Sequence, residues 1–203
     1  GLDHALGPIR NNRMAIGIPI EQSNPEYARG QVEVNIRYDE ALVGADRVVL
    51  FRNVIKDIAR REGYHATFMA KPFIDQSGSG FHTHYSLWKD GKNIFAKDGK
   101  MNEVGYSFLA GMQARMAEMS LATSTTPNAY RRRKPGVFCP VNTAWGYDNR
   151  TVALRILEGS DSAVRIEKRD GAADCNPYYL LACEIAAGLD GFEGKMKSKG
   201  PAT

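Results

Sequence analysis

Residues 81–88 read FHTHYSLW, and they decide the fold because apolar and polar side chains alternate along them. A period of two is typical of a strand that packs one face on a core and leaves the other face polar. The stretches 32–38 (VEVNIRY) and 163–169 (AVRIEKR) show the same alternation. Their predicted polar faces carry His82, His84, Ser86, Glu33, Arg165, Glu167 and Arg169.

Helices and further strands alternate along the rest of the chain. We expect helices over 39–61, 103–122 and 176–191, and further strands over 64–71 and 151–157. Asp39 is placed to cap the first helix, and Asn176-Pro177 to begin the last. Asp90-Gly91 is a typical hairpin turn. Together these signals predict an α+β fold, a curved and mostly antiparallel sheet with helices packed on one face.

The composition bounds what the protein can be. In 203 residues, 43% are hydrophobic, which is enough for a core and excludes bulk disorder. Lys and Arg number 27 and Asp and Glu 23, giving +4, which by itself is weak support for nucleic-acid binding. The basic run Arg131–Lys134 keeps that alternative open, although no aromatic-rich strand accompanies it.

The cysteines and the apolar runs bear on the compartment. Three cysteines occur without C-x-x-C spacing, and the chain begins with no signal-like segment. No apolar run approaches the roughly 18 residues of a membrane span. We expect a reduced, cytoplasmic protein that binds neither membrane nor nucleic acid, and that has no disulfide or zinc–thiolate site.

The polar face has two interpretations from the residues alone. Histidine and glutamate together suit a hard divalent cation such as Mg²⁺ or Mn²⁺, and arginines suit carboxylate or phosphate. A charged sheet face is costly unless something charged fills it. Equally, an H-x-H strand can be a hydrogen-bonded pair, and R-x-E-x-R can form a cross-strand ion-pair ladder. Periodicity does not choose between a metal-and-anion site and an ion-pair ladder.

Five segments, in order, carry a resemblance to a known family. They are NPEYARGQVEV at 24–34, KPFIDQSGSGFHTHYSL at 71–87, NAYRRRKPG at 128–136, DNRTVALRI at 148–156 and RIEKRDGAADCNPY at 165–178. Together they resemble the catalytic domain of the glutamine synthetase family, from about residue 15 to 193. The resemblance implies that 1–203 is a partial catalytic domain without the N-terminal domain, the first catalytic strand and the C-terminal helices.

The resemblance also implies a role for each matching residue. Glu26 and Glu33 resemble the ligands of one divalent cation, and His82 and Glu167 those of a second. His84 and Ser86 resemble nucleotide contacts. Gly78, Arg132 and Arg169 resemble contacts to the substrate glutamate. Arg150 and Arg155 resemble the arginines that hold the transferring phosphate.

The implied reaction is an ATP-dependent ligation of glutamate to an amine through γ-glutamyl phosphate, with two cations, Mg²⁺ or Mn²⁺. Two positions depart from the glutamine-forming members, Ser77 in the glycine-rich segment and Phe138 where those members have glutamate. The pattern is closer to the γ-glutamylpolyamine synthetases, and we expect Phe138 to contact an organic amine. A glutamate–ammonia ligase and a non-catalytic structural or binding member of the family remain alternatives.

The family also sets an expectation about assembly. Its members form active sites between neighbouring subunits of stacked rings, so the resemblance implies a homo-oligomer at full length. We therefore expect the 203-residue chain by itself to be inactive and poorly stable, with an unpaired sheet edge.

Overall fold

The structure is a computed structural model that describes residues 17–134 and 138–202. Its helices are α1 (Ala41–Arg61), α2 (Glu103–Arg115), α3 (Ser120–Thr123), α4 (Pro127–Tyr130) and α5 (Pro177–Glu193), with a 3-10 turn at Asp161–Ala163. Its strands are β1 (Ile20–Pro25), β2 (Val32–Ile36), β3 (Thr83–Tyr85), β4 (Trp88–Lys89), β5 (Lys92–Asn93), β6 (Ala96–Lys97), β7 (Lys100–Met101), β8 (Trp145–Tyr147), β9 (Leu154–Leu157) and β10 (Arg165–Lys168).

The central sheet has four strands in the order β3-β10-β9-β8. The β3–β10 and β10–β9 pairs are antiparallel, and β8–β9 is parallel. The three hairpins β1–β2, β4–β5 and β6–β7 are antiparallel as well. The prediction of an α+β fold with mostly antiparallel pairing is confirmed.

One face of this sheet is covered by helices. Tyr85, Leu154, Ile156 and Ile166 pack there against α2 and α5 in the main core cluster. The two helices approach closely at Gly111, where an added Cβ would lie 2.1 Å from the Ala187 carbonyl oxygen. The predicted one-sided packing of helices is therefore present.

That covered face is not wholly apolar, which the alternation pattern did not predict. Lys168 and Glu184 are fully buried between β10 and α5, and their charged atoms lie 3.0 Å apart. Asp170 also pairs with the Lys168 ammonium. Glu184 Oε2 accepts hydrogen bonds from Thr83 Oγ1 at 2.7 Å and from the Tyr85 hydroxyl at 2.5 Å. A buried polar network thus joins β3, β10 and α5 beneath the sheet.

Several local predictions need correction. Residues 64–71 form no strand, because the backbone there bonds outside any strand: Ser79 N donates to the Ala70 carbonyl, and Lys71 N to the Asn128 side chain in α4. Among residues 17–134 and 138–202, β2 pairs with β1 and lies outside the four-stranded sheet. The helix expected over 103–122 breaks after Arg115 and resumes at Ser120.

The ends of the two longest helices differ in how well the sequence predicted them. The N-cap of α1 is Glu40, since the Asp39 carboxylate accepts from Glu40 N and pairs with Arg47. In α5 the Asn176 side chain accepts from the N–H groups of the second and third helical residues, as predicted.

Candidate active site

Glu167 lies at the centre of the uncovered face of the sheet. The strand register sets it opposite His84 of β3 and Arg155 of β9. Its carboxylate accepts from Arg155 Nη1 at 3.0 Å and Arg169 Nη1 at 2.5 Å, and lies 3.3 Å from His82 Nδ1. Burial acts to raise the pKa of Glu167, but the hydrogen bond from His82 and the charges of Arg169 and His82 hold it well below its usual range.

The two predicted nucleotide contacts are His84 in β3, opposite Glu167, and Ser86, which directly follows β3. His84 accepts a hydrogen bond at Nδ1 from Arg165 Nε, at 3.1 Å. Desolvation among its neighbours and the charge of Arg165 outweigh the attraction of Glu167 and lower the pKa of His84 to about 4. His84 is therefore a neutral ring at neutral pH. Ser86 Oγ accepts from the Trp88 indole at 2.8 Å.

The β1–β2 hairpin carries two further acidic residues. Glu26 begins its loop and Glu33 lies in β2. Burial raises the pKa of Glu33, and so do a hydrogen bond with Glu26 and the negative charges of Glu26 and Glu167, while Arg150 opposes them. The hairpin therefore holds two carboxyl groups in contact, within electrostatic range of Glu167 and Arg150.

The hairpin loop is fixed to the glycine-rich segment. Glu26 N donates to the Gln31 carbonyl at 2.9 Å and closes the loop. Gln31 Nε2 donates to the Gly78 carbonyl at 3.0 Å, and Arg29 N to the Gln76 side chain at 3.0 Å. Hydrogen bonds thus connect two of the five segments that carry the resemblance, 24–34 and 71–87.

The predicted glutamate contacts Gly78 and Arg132 also meet. Arg132 is buried and donates through Nη1 to the Gly171 carbonyl at 2.9 Å. A Cβ on Gly78 would lie 2.7 Å from Arg132 Cγ, and one on Gly80 would lie 2.8 Å from Arg132 Nη2. Glycine at both positions lets the backbone approach the guanidinium. Within the described residues, the buried Nε of Arg169 has no hydrogen-bond partner, which leaves a donor for an anion.

The predicted phosphate-holding arginines lie beside one aspartate that the sequence analysis did not single out. Asp148 accepts from Arg155 Nε at 3.0 Å, and Arg150 is close enough for its charge to lower the pKa of Asp148. Since Arg155 also bonds Glu167, it bridges the two acids. Asp148 is the first residue of the DNRTVALRI segment. Its position beside the predicted phosphate-holding arginines is the sequence feature that could have identified it.

Phe138 lies against a residue that the sequence did not connect with it. Its ring stacks on Tyr27 with the centroids 4.4 Å apart and the planes 27° from parallel. Both rings are largely exposed. Tyr27 directly follows Glu26, so the aromatic pair borders the acidic hairpin.

The expected metal ligands meet as pairs. In residues 17–134 and 138–202, no three His, Cys, Asp or Glu side chains converge closely enough to hold a metal ion alone. A cation beside Glu26 and Glu33 would relieve the repulsion between their two carboxyl groups. His82 with Glu167 offers one nitrogen and one oxygen. Each pair fits a cation that keeps water and substrate oxygens as its other ligands, as Mg²⁺ does.

Comparison with known proteins agrees with the segments singled out above. The family model described as glutamine synthetase, catalytic domain, matches residues 3–203. A glutamate–isopropylamine ligase of Pseudomonas sp is 43% identical over 200 residues, 97% of this chain and 44% of that protein. A glutamine synthetase of Clostridium saccharobutylicum is 40% identical over 185 residues, 90% of this chain and 42% of that protein.

A solved structure shows the same similarity in three dimensions. The structure described as apo GmaS without ligand matches with a TM-score of 0.89 and 34% identity, over 99% of this chain and 47% of that chain. The chain therefore spans less than half the length of these relatives. No helix in the described part of the chain is long and apolar enough to cross a membrane.

Proposed function

The chain belongs to the glutamine synthetase family, and on that premise we propose that the protein joins the γ-carboxylate of glutamate to an amine at the expense of ATP. One observation carries the proposal. The Glu167 carboxylate accepts hydrogen bonds from Arg155 and Arg169 and lies 3.3 Å from His82 Nδ1, and its negative charge reaches Glu33 of the β1–β2 hairpin. A carboxylate set bordered by arginines suits phosphoryl transfer to an acid.

Each side chain has a task in this proposal. Glu26 and Glu33 would hold one divalent cation, and His82 and Glu167 the other, with Mg²⁺ or Mn²⁺ as candidates. These cations would neutralise the charge that develops on the transferring and departing phosphate. The other roles are nucleotide contact by His84 and Ser86, glutamate binding by Arg132, Arg169 and the Gly78 backbone, and stabilisation of the moving phosphate by Arg150 and Arg155.

The chemistry proceeds in two balanced steps. A γ-carboxylate oxygen of glutamate attacks the γ-phosphorus of ATP, a P–O bond forms, and the bond to the ADP oxygen breaks. The amine nitrogen then attacks the acyl carbon, the C–N bond forms, and the C–O bond to phosphate breaks. The departing phosphate takes the proton that the nitrogen loses. Phosphorylation is needed because a carboxylate is a poor acyl donor.

We place Phe138 in the amine subsite and infer that an organic amine is preferred over ammonia. A site for ammonia must attract a small cation and accept its proton, and a carboxylate does both. Phenylalanine does neither, but its ring can pack a carbon chain and offer a face to a cation. The similarity to a ligase named for isopropylamine supports this preference. The similarity to proteins named glutamine synthetase favours the second candidate, ammonia.

Assembly and location follow the family as proposals. We expect the protein at its full natural length to form a homo-oligomer of stacked rings in the cytoplasm, and the 203-residue chain alone to be inactive.

The test measures phosphate release by the protein at its full natural length with glutamate, ATP, Mg²⁺ and either ammonia or methylamine. Glu167→Gln, which removes the charge from the centre of the site, should lower kcat/KM by about 10²–10³. Glu62→Gln, at the exposed end of α1, is the matched control and should leave the rate unchanged. No turnover with either amine would identify a non-catalytic member, and a higher kcat/KM for ammonia would identify a glutamine synthetase.

A further inference from the structure

The Tyr27–Phe138 pair is unusual for its exposure. Tyr27 is 76% exposed and Phe138 60% exposed, although their rings stack at 4.4 Å. They come from distant parts of the chain, a hairpin loop and the segment after Arg131–Lys134. Two large rings that meet and still face outward present one continuous apolar and π-electron surface. Such a surface at a polar site points to a ligand with both a carbon chain and a positive charge.

The loop that carries Tyr27 is held in place. Its backbone closes through Glu26 N and the Gln31 carbonyl, and Gln31 also donates to the Gly78 carbonyl at 3.0 Å. Gly30 has a φ of +73°, the left-handed conformation that glycine adopts without strain. Tyr27 therefore lies on an anchored loop, directly after Glu26.

Phe138 directly precedes a buried residue that lies near two arginines. The Cys139 thiol is buried, and it lies close enough to Arg132 and Arg169 for their charges to act on it. These are the two arginines to which we assign glutamate. The stacked pair thus joins the loop that carries Glu26 to the segment that carries Cys139, which lies near the proposed glutamate ligands.

Resting on the proposed function, we infer that Tyr27 and Phe138 form one aromatic wall of the amine subsite, and that Tyr27 is a specificity-determining residue for primary alkylamines. Glutamyl phosphate must extend from the glutamate arginines to the cation ligands, so we expect its acyl carbon near the two segments that carry these rings. An amine approaching that carbon passes the rings. Its alkyl chain leaves water against them, its ammonium form is attracted to a ring face, and the ammonium gives one proton to water before its nitrogen attacks.

The experiment uses the protein at its full natural length and a homologous series: ammonia, methylamine, ethylamine and propylamine. For the wild type, kcat/KM should rise by about fourfold for each carbon added, the value for burying one methylene. Tyr27→Ala should reduce that rise to less than about twofold per carbon, chiefly through a higher KM for the alkylamines. The propylamine-to-ammonia ratio of kcat/KM should then fall about tenfold.

Two controls separate a binding wall from a general structural effect. Tyr27→Phe keeps the ring and should restore the wild-type series. Tyr179→Ala removes a tyrosine of α5 that is 68% exposed, and it should leave the series unchanged. Phe138→Ala is the second test variant, because loss of either ring breaks the same wall and should flatten the series in the same way.

The outcomes distinguish failure of the proposed ligase function from failure of the proposed aromatic wall. A wild type that releases no phosphate with any member of the series contradicts the proposed ligase function. A wild type that turns over, with the series unchanged by both Tyr27→Ala and Phe138→Ala, overturns the aromatic wall and leaves the ligase intact. The wall is also refuted if both variants lower the rate with ammonia and propylamine by the same factor.

Discussion

The buried pair Lys168–Glu184 gives a sharp prediction about stability. Both side chains are fully buried, with 3.0 Å between Nζ and Oε1. The acidic partners Glu184 and Asp170 raise the pKa of Lys168 in spite of its burial, so the lysine stays charged. Glu184→Leu would leave this ammonium with Asp170 alone, and would leave the hydroxyls of Thr83 and Tyr85 without their acceptor.

The expected cost follows from these contacts. Removing one partner of a buried ion pair costs about 3–5 kcal/mol. The retained Asp170 reduces that cost, and the two orphaned hydroxyls, at about 1–3 kcal/mol each, increase it. We therefore expect Glu184→Leu to lower the free energy of unfolding by about 3–5 kcal/mol. The double variant Lys168→Met/Glu184→Leu should lose less than the sum of the two single losses, because each single variant already breaks the same 3.0 Å pair.

The assay is urea unfolding followed by circular dichroism on the protein at its full natural length, with free energies extrapolated to water. Glu193→Leu, at the exposed end of α5, is the control and should stay within about 0.5 kcal/mol of the wild type. A Glu184→Leu protein as stable as that control would refute the reasoning. So would a double variant whose loss equals the sum of the two single losses.

Two further predictions concern the helix contact and the thiols. Gly111→Ala should destabilise by about 1–3 kcal/mol in the same assay, because the new Cβ would meet the Ala187 carbonyl, while Gly44→Ala in α1 meets nothing within 4 Å and should stabilise slightly. A destabilising Gly44→Ala with a neutral Gly111→Ala would contradict this packing. Burial raises the pKa of the Cys175 thiol to about 11, so at pH 8 its reactive thiolate is scarce, whereas Cys183 is exposed. A thiol reagent at pH 8 should modify Cys183 first and Cys175 only after unfolding, and fast modification of Cys175 in the folded protein would show that it is accessible.

The sequence by itself determined which residues share a face. Alternation over 163–169 put Glu167 and Arg169 together, and the structure joins their side chains at 2.5 Å. It also determined local features that depend only on neighbouring residues. The Asn176 cap of α5 is one, and the turn at Asp90-Gly91 between β4 and β5 is another. These features are readable because backbone conformation and side-chain direction are set within a few residues.

The segments of the resemblance, in turn, implied roles that periodicity could not. The resemblance assigns Gly78 and Arg132 to glutamate, and the structure brings these two residues into contact. Whether they bind glutamate stays a prediction, because contact between two residues does not identify the ligand.

Only the tertiary structure decided which elements and distant side chains meet. Residues 64–71 have a strand-like composition, yet they form none, because a strand exists only where a partner supplies its hydrogen bonds. The burial of Lys168 against Glu184 and the stacking of Tyr27 on Phe138 join residues from separate elements. An alternation with a period of two predicts the face of the sheet on which a side chain lies. It does not predict which residues pack against that face. That is fixed by the packing of the whole chain, which pairs β10 with β3 and sets α5 beneath both.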